Sequence, residues 1–361
     1  MNQTNRDWVH WAIHQIESDF QRSADTHLIK LDLPALPGID VYLKDESTHP
    51  SGSLKHRLAR SLFLYGLANG WINEGTPIIE SSSGNTAVSE AYFARLLGLP
   101  FIAVMPRDTS ERKVREIEFH GGECRMVEGH QIYSAAAEIA RAVNGHYMDQ
   151  FTNAERVTDW RGNNNIAQSI FDQMQRERFP IPDWIVVSAG TGGTPATIGR
   201  YIRYRCHPTR LCVADPENSV FYDYWQTRDP DLTSETMSVI EGIGRPRVEP
   251  SFVPDVIDHM IQVPDAASIA TIHFLEKILG RKAGGSTGTN LYACFQLINR
   301  MLAEGREGSV VSMLCDTGDR YLNTFYDEAW LEEKGFALQP WLDCLETFRD
   351  DGRWTRPRVM A

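Results

Sequence analysis

The sequence has few cysteines, and no pattern among them would bind a metal. Six cysteines are spread over 361 residues, at positions 124, 206, 212, 294, 315 and 344, without a CxxC pair. Most stand among apolar neighbours, which favours free thiols packed as small hydrophobes over a disulfide framework. The eleven histidines contain no HExxH pattern. We therefore predict no metal site.

The sequence also lacks long apolar runs and basic stripes. No apolar run approaches the roughly 20 residues that a membrane-spanning helix needs. The first residues are polar, with an early Asp7, and lack the apolar core of a secretory signal. The net charge of −12, with scattered Lys and Arg, would repel phosphate backbones. We expect a cytoplasmic protein without nucleic-acid or membrane partners.

What the sequence does contain is an alternation of strands and helices. Hydrophobic residues make up 42% and charged residues 23%, a balance typical of globular proteins, and the length suffices for two domains. After an amphipathic first helix, buried β-branched runs alternate with helical segments, the clearest runs being 77–81, 101–105, 184–188 and 309–315. Such runs predict parallel strands covered on both faces, an α/β fold, with ligands beyond the carboxyl ends of the strands. Residues 227–256 are predicted to form a long irregular loop.

Two loops that precede predicted helices carry a lysine and a run of hydroxyl groups. Lys55 follows Pro50-Ser51-Gly52-Ser53-Leu54 at a helix start, where the positive end of the helix dipole disfavours a cation. That position suits an amine consumed in a Schiff base, although a solvated surface lysine would give the same local pattern. The second loop is Ser81-Ser82-Ser83-Gly84-Asn85-Thr86. It is typical either of a helix N-cap cluster or of a cup for a carboxylate.

Two further loops are rich in glycine. Gly190-Thr191-Gly192-Gly193-Thr194 follows a strand and opens a helix, which suits a phosphate. A dinucleotide fold is the rival interpretation, with Asp215 as the ribose partner. However, Pro195 stands where that motif needs its third glycine, and the rival leaves Lys55 unexplained. The last loop, Gly284-Gly285-Ser286-Thr287-Gly288, adds hydroxyl groups at a helix start. Together the four loops indicate pyridoxal 5'-phosphate (PLP) and an amino acid.

From about residue 26 to 325 the sequence resembles the cysteine synthase and cystathionine β-synthase family of fold-type II PLP enzymes. It is most similar to the bacterial L-cysteine desulfhydrase branch of that family. The resemblance depends on the four loops, in order and spacing, and on longer stretches: Tyr42-Leu43-Lys44-Asp45-Glu46-Ser47, Thr158-Asp159-Trp160-Arg161-Gly162-Asn163, Ile240-Glu241-Gly242-Ile243-Gly244-Arg245-Pro246-Arg247 and Thr317-Gly318-Asp319-Arg320-Tyr321.

The resemblance implies a role for each matching position. The Schiff-base lysine falls on Lys55, and the freed amine then removes the Cα proton of the substrate. The substrate loop, called the carboxylate loop below (residues 82–86), is Ser82-Ser83-Gly84-Asn85-Thr86, in which Asn85 contacts the phenolic oxygen of the cofactor. Gln150 and Gly242 are further substrate-side positions. The phosphate loop (residues 190–194) is Gly190-Thr191-Gly192-Gly193-Thr194. Ser286, with Thr287 as the alternative register, meets the pyridine nitrogen.

The sequence departs from the family pattern at three places. Thr26-His27-Leu28 stands for Thr-Pro-Leu, Ser82 stands for a threonine, and Arg245-Pro246-Arg247 replaces small residues. The departures affect the expected substrate range and not the cofactor. Arg245 and Arg247 are candidates for tuning the choice between water and sulfide, or else pair with nearby acids such as Glu249.

The resemblance implies two parallel-sheet α/β domains with the cofactor in the cleft between them, and commonly a homodimer. We expect an N-terminal helix at 1–25, a small domain at 48–153 with Lys55 and the carboxylate loop, and a large PLP-binding domain formed by 26–47 plus 154–361.

The implied reaction is PLP-dependent β-elimination of L-cysteine to hydrogen sulfide, pyruvate and ammonia. The first alternative is cysteine synthesis from O-acetylserine and sulfide. The second is a non-catalytic PLP-binding partner of an acyltransferase, which the presence of Lys55 disfavours. A serine or threonine dehydratase is disfavoured because the similarity lies with the sulfur branch.

Overall fold

The computed structural model describes residues 3–355 and 357, and the chain forms two compact units. One unit comprises the chain up to Asp25 together with His49–Asp159, and the other comprises Thr26–Thr48 and the chain from Trp160 onward. The helices are α1 Gln3–Gln21, α2 Lys55–Ala68, α3 Asn85–Leu96, α4 Glu111–Phe119, α5 Ile132–Ala142, α6 Gln150–Val157, α7 Ile166–Met174, α8 Gly193–Tyr204, α9 Phe221–Thr227, α10 Asp265–Leu279, α11 Gly285–Ala303, α12 Glu328–Glu333 and α13 Gln339–Asp351. The strands are β1 Leu28–Leu31, β2 Ile39–Asp45, β3 Ile78–Ser81, β4 Phe101–Pro106, β5 Glu123–Val127, β6 His146–Tyr147, β7 Trp184–Ser188, β8 Arg210–Pro216, β9 His259–Val263 and β10 Gly308–Leu314.

The first unit is built on a four-stranded parallel sheet in the order β5-β4-β3-β6. All four residues of β3 are buried, as expected for a strand covered on both faces. The amphipathic α1 contributes Val9, Ala12 and Ile16 to the same apolar core as α2 and α3. The helix predicted at the start of the chain is therefore confirmed, and the structure places it within the first unit.

The second unit is built on a six-stranded sheet in the order β1-β2-β10-β7-β8-β9. Every pairing is parallel except that of β1 with β2, which is antiparallel with Leu28 opposite Lys44. The α/β prediction is confirmed for both units, and β1 is the strand that it missed. The four residues of β1 lie at the sheet edge, and Lys30 pairs there with Asp40, so the segment has no buried apolar run to mark it.

Two helices show local features that position them. α11 begins at Gly285, and Gly288 within it allows close packing on α10, since a Cβ there would lie 2.0 Å from the carbonyl oxygen of Ser268. α6 was not predicted. It begins after Asp149, whose side chain accepts a hydrogen bond from the backbone N–H of Thr152 at 3.3 Å.

In each sheet the strand order reverses next to a predicted ligand loop. In the first sheet, β4 and β5 follow β3 on one side, and β6 pairs with β3 on the other side. In the second sheet, β8 and β9 follow β7 on one side, and β10 pairs with β7 on the other side. Ligands of parallel sheets bind at such reversals, beyond the carboxyl ends of the strands. The carboxylate loop follows β3, and the phosphate loop follows β7.

Residues 227–256 are mostly irregular, as predicted, with an isolated bridge between Thr233 and Arg247 and a short 3-10 helix at Pro254–Val256. Among the described residues, none of the helices combines the length and the apolar character needed to cross a bilayer.

Candidate active site

Lys55 is the first residue of α2 and is half-buried. The segment before it is joined to α3 by hydroxyl groups. The Ser51 hydroxyl lies 3.1 Å from Nδ1 of His56 and 2.8 Å from the hydroxyl of Ser89, which donates to the carbonyl oxygen of Asn85 at 2.8 Å. The position of the predicted Schiff-base lysine is therefore connected to that of the carboxylate loop within one unit.

The carboxylate loop leads from β3 into α3. Gly84 is the N-cap residue, and no side chain of the described part of the chain caps the helix there. Ser82, Ser83 and Asn85 are half-buried. Uncapped N–H groups at a helix start are suited to an anion such as a carboxylate.

The structure brings Gln150 to this loop, although 64 residues separate the two in sequence. The buried Thr86 hydroxyl donates to Oε1 of Gln150 at 2.8 Å. Gln150 follows β6, the neighbour of β3, so the two predicted substrate-side positions meet at the reversal of strand order.

Sequence reasoning missed Glu80, the third residue of β3. Its carboxylate is fully buried and accepts hydrogen bonds from the N–H (2.7 Å) and hydroxyl (3.1 Å) of Ser81 and from the N–H of Gln150 (3.2 Å). Burial raises the pKa of Glu80 to about 7, and the hydrogen bonds from Gln150 and Ser81 oppose that rise. The signal was available: an acidic residue within the buried run Pro77-Ile78-Ile79-Glu80-Ser81.

Glycine is required at two positions of the phosphate loop. A Cβ on Gly190 would lie 2.1 Å from the carbonyl oxygen of Gly242, and a Cβ on Gly192 would lie 2.4 Å from that of Ser251. Gly192 also has a φ of +95° and, as the N-cap of α8, has no side chain to cap the helix, while the Thr191 hydroxyl accepts a hydrogen bond from the N–H of Gly193 at 3.4 Å. Backbone N–H groups at the first turn of a helix are suited to an anion.

The wall behind this loop is formed by the segment after Gly242. The N–H of Gly244 donates to the carbonyl oxygen of Ala189 at 2.8 Å. Arg245 and Arg247 donate through Nε to Oε1 of Glu249 at 2.9 and 3.2 Å, and the Glu249 side chain is fully buried. Of the two roles that we considered for these arginines, the structure shows the pairing with Glu249.

The loop before α11 ends in two adjacent hydroxyl groups with different surroundings. Thr287 is fully buried, and its hydroxyl accepts a hydrogen bond from the N–H of Cys315 at 3.0 Å. The Ser286 side chain lies by the Cys315 thiol, whose pKa is raised to about 12 by burial. Both side chains therefore contact Cys315 at the end of β10, and the choice of Ser286 as the partner of a ligand stays a prediction.

The rival dinucleotide interpretation loses its ribose partner in the structure. Asp215 is fully buried and accepts a hydrogen bond from the N–H of Tyr222 at 2.9 Å, so it serves the start of α9. The second unit instead offers a glycine cradle at a helix N-terminus with hydroxyl groups beside it. These groups fit a single phosphate and its attached ring.

Comparison with known proteins identifies the family to which the chain belongs. Residues 21–316 match the model of the family described as "Pyridoxal-phosphate dependent enzyme". Because the match covers most of the chain, the protein belongs to this family, and its cofactor is PLP. The fold-type II assignment and the predicted cofactor are thereby confirmed.

Particular relatives narrow the comparison. The chain is 57% identical over 356 residues to the L-cysteine desulfhydrase Cds1 of Mycobacterium tuberculosis, with 97% of each chain covered. It is 27% identical over 330 residues to a cysteine synthase of Dictyostelium discoideum, covering 87% of this chain and 85% of that one. Among solved structures, O-ureido-L-serine synthase superposes with a TM-score of 0.75 at 27% identity, covering 89% of this chain and 98% of the other.

Proposed function

We propose that this protein is a PLP-dependent carbon–sulfur lyase that converts L-cysteine and water into hydrogen sulfide, pyruvate and ammonia. The observation that carries the proposal is the 57% identity with an L-cysteine desulfhydrase over 97% of both chains. The carboxylate loop and the phosphate loop support it, since they offer anion sites for a substrate carboxylate and for a cofactor phosphate.

In this proposal Lys55 holds the cofactor and moves the proton. Lys55 is the first residue of α2, and its amine is the nucleophile that would form the Schiff base. Displaced by the substrate amine, Lys55 takes the Cα proton as general base.

The carboxylate loop orients the substrate. Its uncapped N–H groups and the Ser82 and Ser83 hydroxyls would bind the α-carboxylate, with Asn85 directed to the cofactor and Gly84 allowing close approach. Thr86 and Gln150 fix each other through their 2.8 Å hydrogen bond, which places the Gln150 side chain at the edge of the loop. A carboxylate fixed at this loop presents the Cα–H bond in one orientation, which is how positioning lowers the barrier.

The second unit would hold the cofactor by its phosphate and ring. Backbone N–H groups of Gly192, Gly193 and Thr194, with the Thr191 hydroxyl, would bind the phosphate, and Gly190 and Gly242 allow the close approach of two backbones. The Ser286 hydroxyl would meet the pyridine nitrogen. When bound, PLP supplies an electron sink for negative charge that develops at the substrate Cα.

One assay tests the reaction. The purified holoenzyme is given L-cysteine alone, and sulfide, pyruvate and ammonia are measured. We expect the three products in equal amounts. In parallel, the same enzyme is given O-acetylserine and sulfide, and cysteine is measured. A kcat/KM for cysteine synthesis far above that for pyruvate formation would reject the lyase assignment in favour of the synthase. Cofactor binding without either reaction would favour a non-catalytic partner protein.

We also propose that the protein acts in the cytoplasm as a homodimer. The support is the acidic composition and the common dimeric state of the family that the sequence resembles. Light scattering on the purified holoenzyme measures the oligomeric state directly. A monomeric mass at working concentration would reject the dimer.

A further inference from the structure

Two buried carboxyl groups on the elements that flank the carboxylate loop interact with each other. Glu80 is on β3 and Glu90 is on α3, the helix that the loop opens, and both residues have no exposed surface. Neither belongs to the groups assigned above to substrate or cofactor. Two ionised carboxylates buried side by side would repel each other strongly, so the pair must hold a proton.

The hydrogen bonds identify which of the two is ionised. Glu80 receives three, from the N–H and hydroxyl of Ser81 and from the N–H of Gln150. Neither oxygen of Glu90 accepts a hydrogen bond from any donor among the described residues. The Glu90 carboxyl does interact with that of Glu80. A protonated Glu90 that donates to an ionised Glu80 satisfies both groups.

Electrostatics agree with this assignment. Burial raises the pKa of Glu90 well above its usual range, the Glu80 charge raises it further, and the Lys55 charge opposes the rise. The pKa of Glu80 reaches only about 7, because hydrogen bonds stabilise its ionised form. At a pH between these two pKa values, the pair carries one negative charge.

Three other titratable or charged groups act on the pair from neighbouring elements. Lys55 acts from α2, and Asp149 acts from the residue before α6. Tyr147 on β6 contacts the Ser81 hydroxyl through its own hydroxyl at 2.7 Å, and burial and the Glu80 charge raise its pKa. Strand β4, which pairs with β3, places Ala103 opposite Glu80.

We propose that Glu80 and Glu90 are positioning residues for substrate binding, with a protonated Glu90 donating a hydrogen bond to the Glu80 carboxylate, which in turn fixes Ser81 and Gln150. Ser81 directly precedes the carboxylate loop, and Gln150 accepts from Thr86 within it. One buried acceptor therefore fixes the loop from two sides. The inference depends on the proposed function, since it assigns the loop to the carboxylate of an amino acid.

The arrangement has a pH dependence with a definite sign. Above about pH 7 Glu80 is ionised and accepts all three hydrogen bonds. As the pH falls through about 7, Glu80 takes up a proton and loses acceptor strength, so the loop loosens. We expect KM for the amino acid to rise on this acid side while kcat changes less.

Three variants test the pair. In Glu80→Gln an amide N–H₂ group replaces one carboxylate oxygen, and this group cannot accept hydrogen bonds from the N–H donors around it. KM should therefore rise about tenfold or more, as expected when a buried hydrogen-bonded charge is removed. Its acid-side rise in KM should also disappear. Glu90→Leu removes the donor, so Glu80 should hold its own proton to higher pH, and the rise in KM should move upward in pH. Glu90→Gln keeps a donor and should restore KM towards the wild-type value relative to Glu90→Leu.

A second measurement needs neither PLP nor turnover. In the apoenzyme, amide hydrogen exchange at Ser81 and Gln150 should be faster in Glu80→Gln than in wild type. Exchange elsewhere in β3 and β4 should not change. Exposed Glu123→Gln, whose partner Arg125 lies on the same strand, is the matched control and should alter neither exchange nor the pH profile.

The outcomes separate this inference from the proposed function. Wild-type exchange and a wild-type KM profile in both Glu80→Gln and Glu90→Leu would overturn it and leave the pair as part of the core. If L-cysteine is not eliminated but O-acetylserine is used, the same KM profiles are measured with O-acetylserine. Altered amide hydrogen exchange and a shifted pH profile of KM would then support the positioning role of Glu80 and Glu90, while the lyase proposal fails.

Discussion

The phosphate loop and the carboxylate loop follow parallel strands at equivalent reversals of strand order, yet they are shaped differently. The phosphate loop is formed by backbone: Gly190 and Gly192 lie where the carbonyl oxygens of Gly242 and Ser251 exclude a Cβ. The carboxylate loop is held by side chains, through Thr86, Gln150 and the buried Glu80. A backbone site shows itself as a glycine motif in sequence, whereas a side-chain network depends on contacts between distant segments.

The largest expected effect separates chemistry from cofactor binding. Lys55→Ala should lower turnover of L-cysteine by about 10²–10⁴-fold, the usual range for loss of a catalytic acid–base group. The absorbance band of the lysine-linked cofactor should disappear as well. PLP should still be retained through its phosphate, since the phosphate loop is intact, and equilibrium dialysis measures that retention. A variant that keeps both the band and its activity would show that Lys55 is not the catalytic residue.

The next effect tests whether backbone packing alone shapes the phosphate loop. Gly192→Ala should weaken PLP binding at least about tenfold, equivalent to about 1.4 kcal/mol, because the new Cβ meets Ser251 and Phe252 and because φ is +95°. Fluorescence titration of apoenzyme with PLP measures the change. Gly280→Ala is the matched control, since Gly280 also has a positive φ but no atom within 4 Å of the added Cβ. Equal PLP affinity in the two variants would contradict the hypothesis that backbone packing around Gly192 shapes the phosphate loop.

Substitutions in the carboxylate loop should change substrate binding and leave PLP binding unchanged. Ser82→Ala and Ser83→Ala should raise KM for the amino acid by an amount equivalent to about 1.5–3 kcal/mol, the usual value for a hydrogen bond to a charged group. PLP content should stay near that of wild type, because the phosphate loop is unchanged. Steady-state kinetics and cofactor absorbance measure the two quantities on the same samples. Wild-type KM in both variants would reduce the loop to a helix cap.

The smallest effect concerns the wall behind the phosphate loop. Changing Arg245 and Arg247 to alanine leaves the buried Glu249 without its paired cations, so we expect a several-fold loss of PLP affinity. The ratio of pyruvate to cysteine that the enzyme forms from O-acetylserine in the presence of sulfide should not change. Lys277→Ala, which breaks the more exposed pair with Glu346, is the control. An altered product ratio with unchanged PLP affinity would restore the hypothesis that the arginines select between water and sulfide.

The sequence by itself was enough to predict the parallel α/β fold, the family and the PLP cofactor. These features follow from local signals: buried β-branched runs, glycines before a helix, and a lysine at a helix start. The resemblance also names Ser286 ahead of Thr287 for the pyridine nitrogen, and this order stays a prediction; only the structure shows that the Thr287 hydroxyl accepts from the N–H of Cys315.

Tertiary structure decided which groups hold those loops in place. Glu80 and Gln150 are 70 residues apart and meet because β3 and β6 are neighbours in the sheet. The pairing of Arg245 and Arg247 with Glu249 is local and was considered from the sequence, but only the structure shows that the Glu249 side chain is fully buried. A local pattern records which backbone and side-chain types a segment offers. Whether a charged group is buried, and which distant donor it meets, depends on strand order and packing.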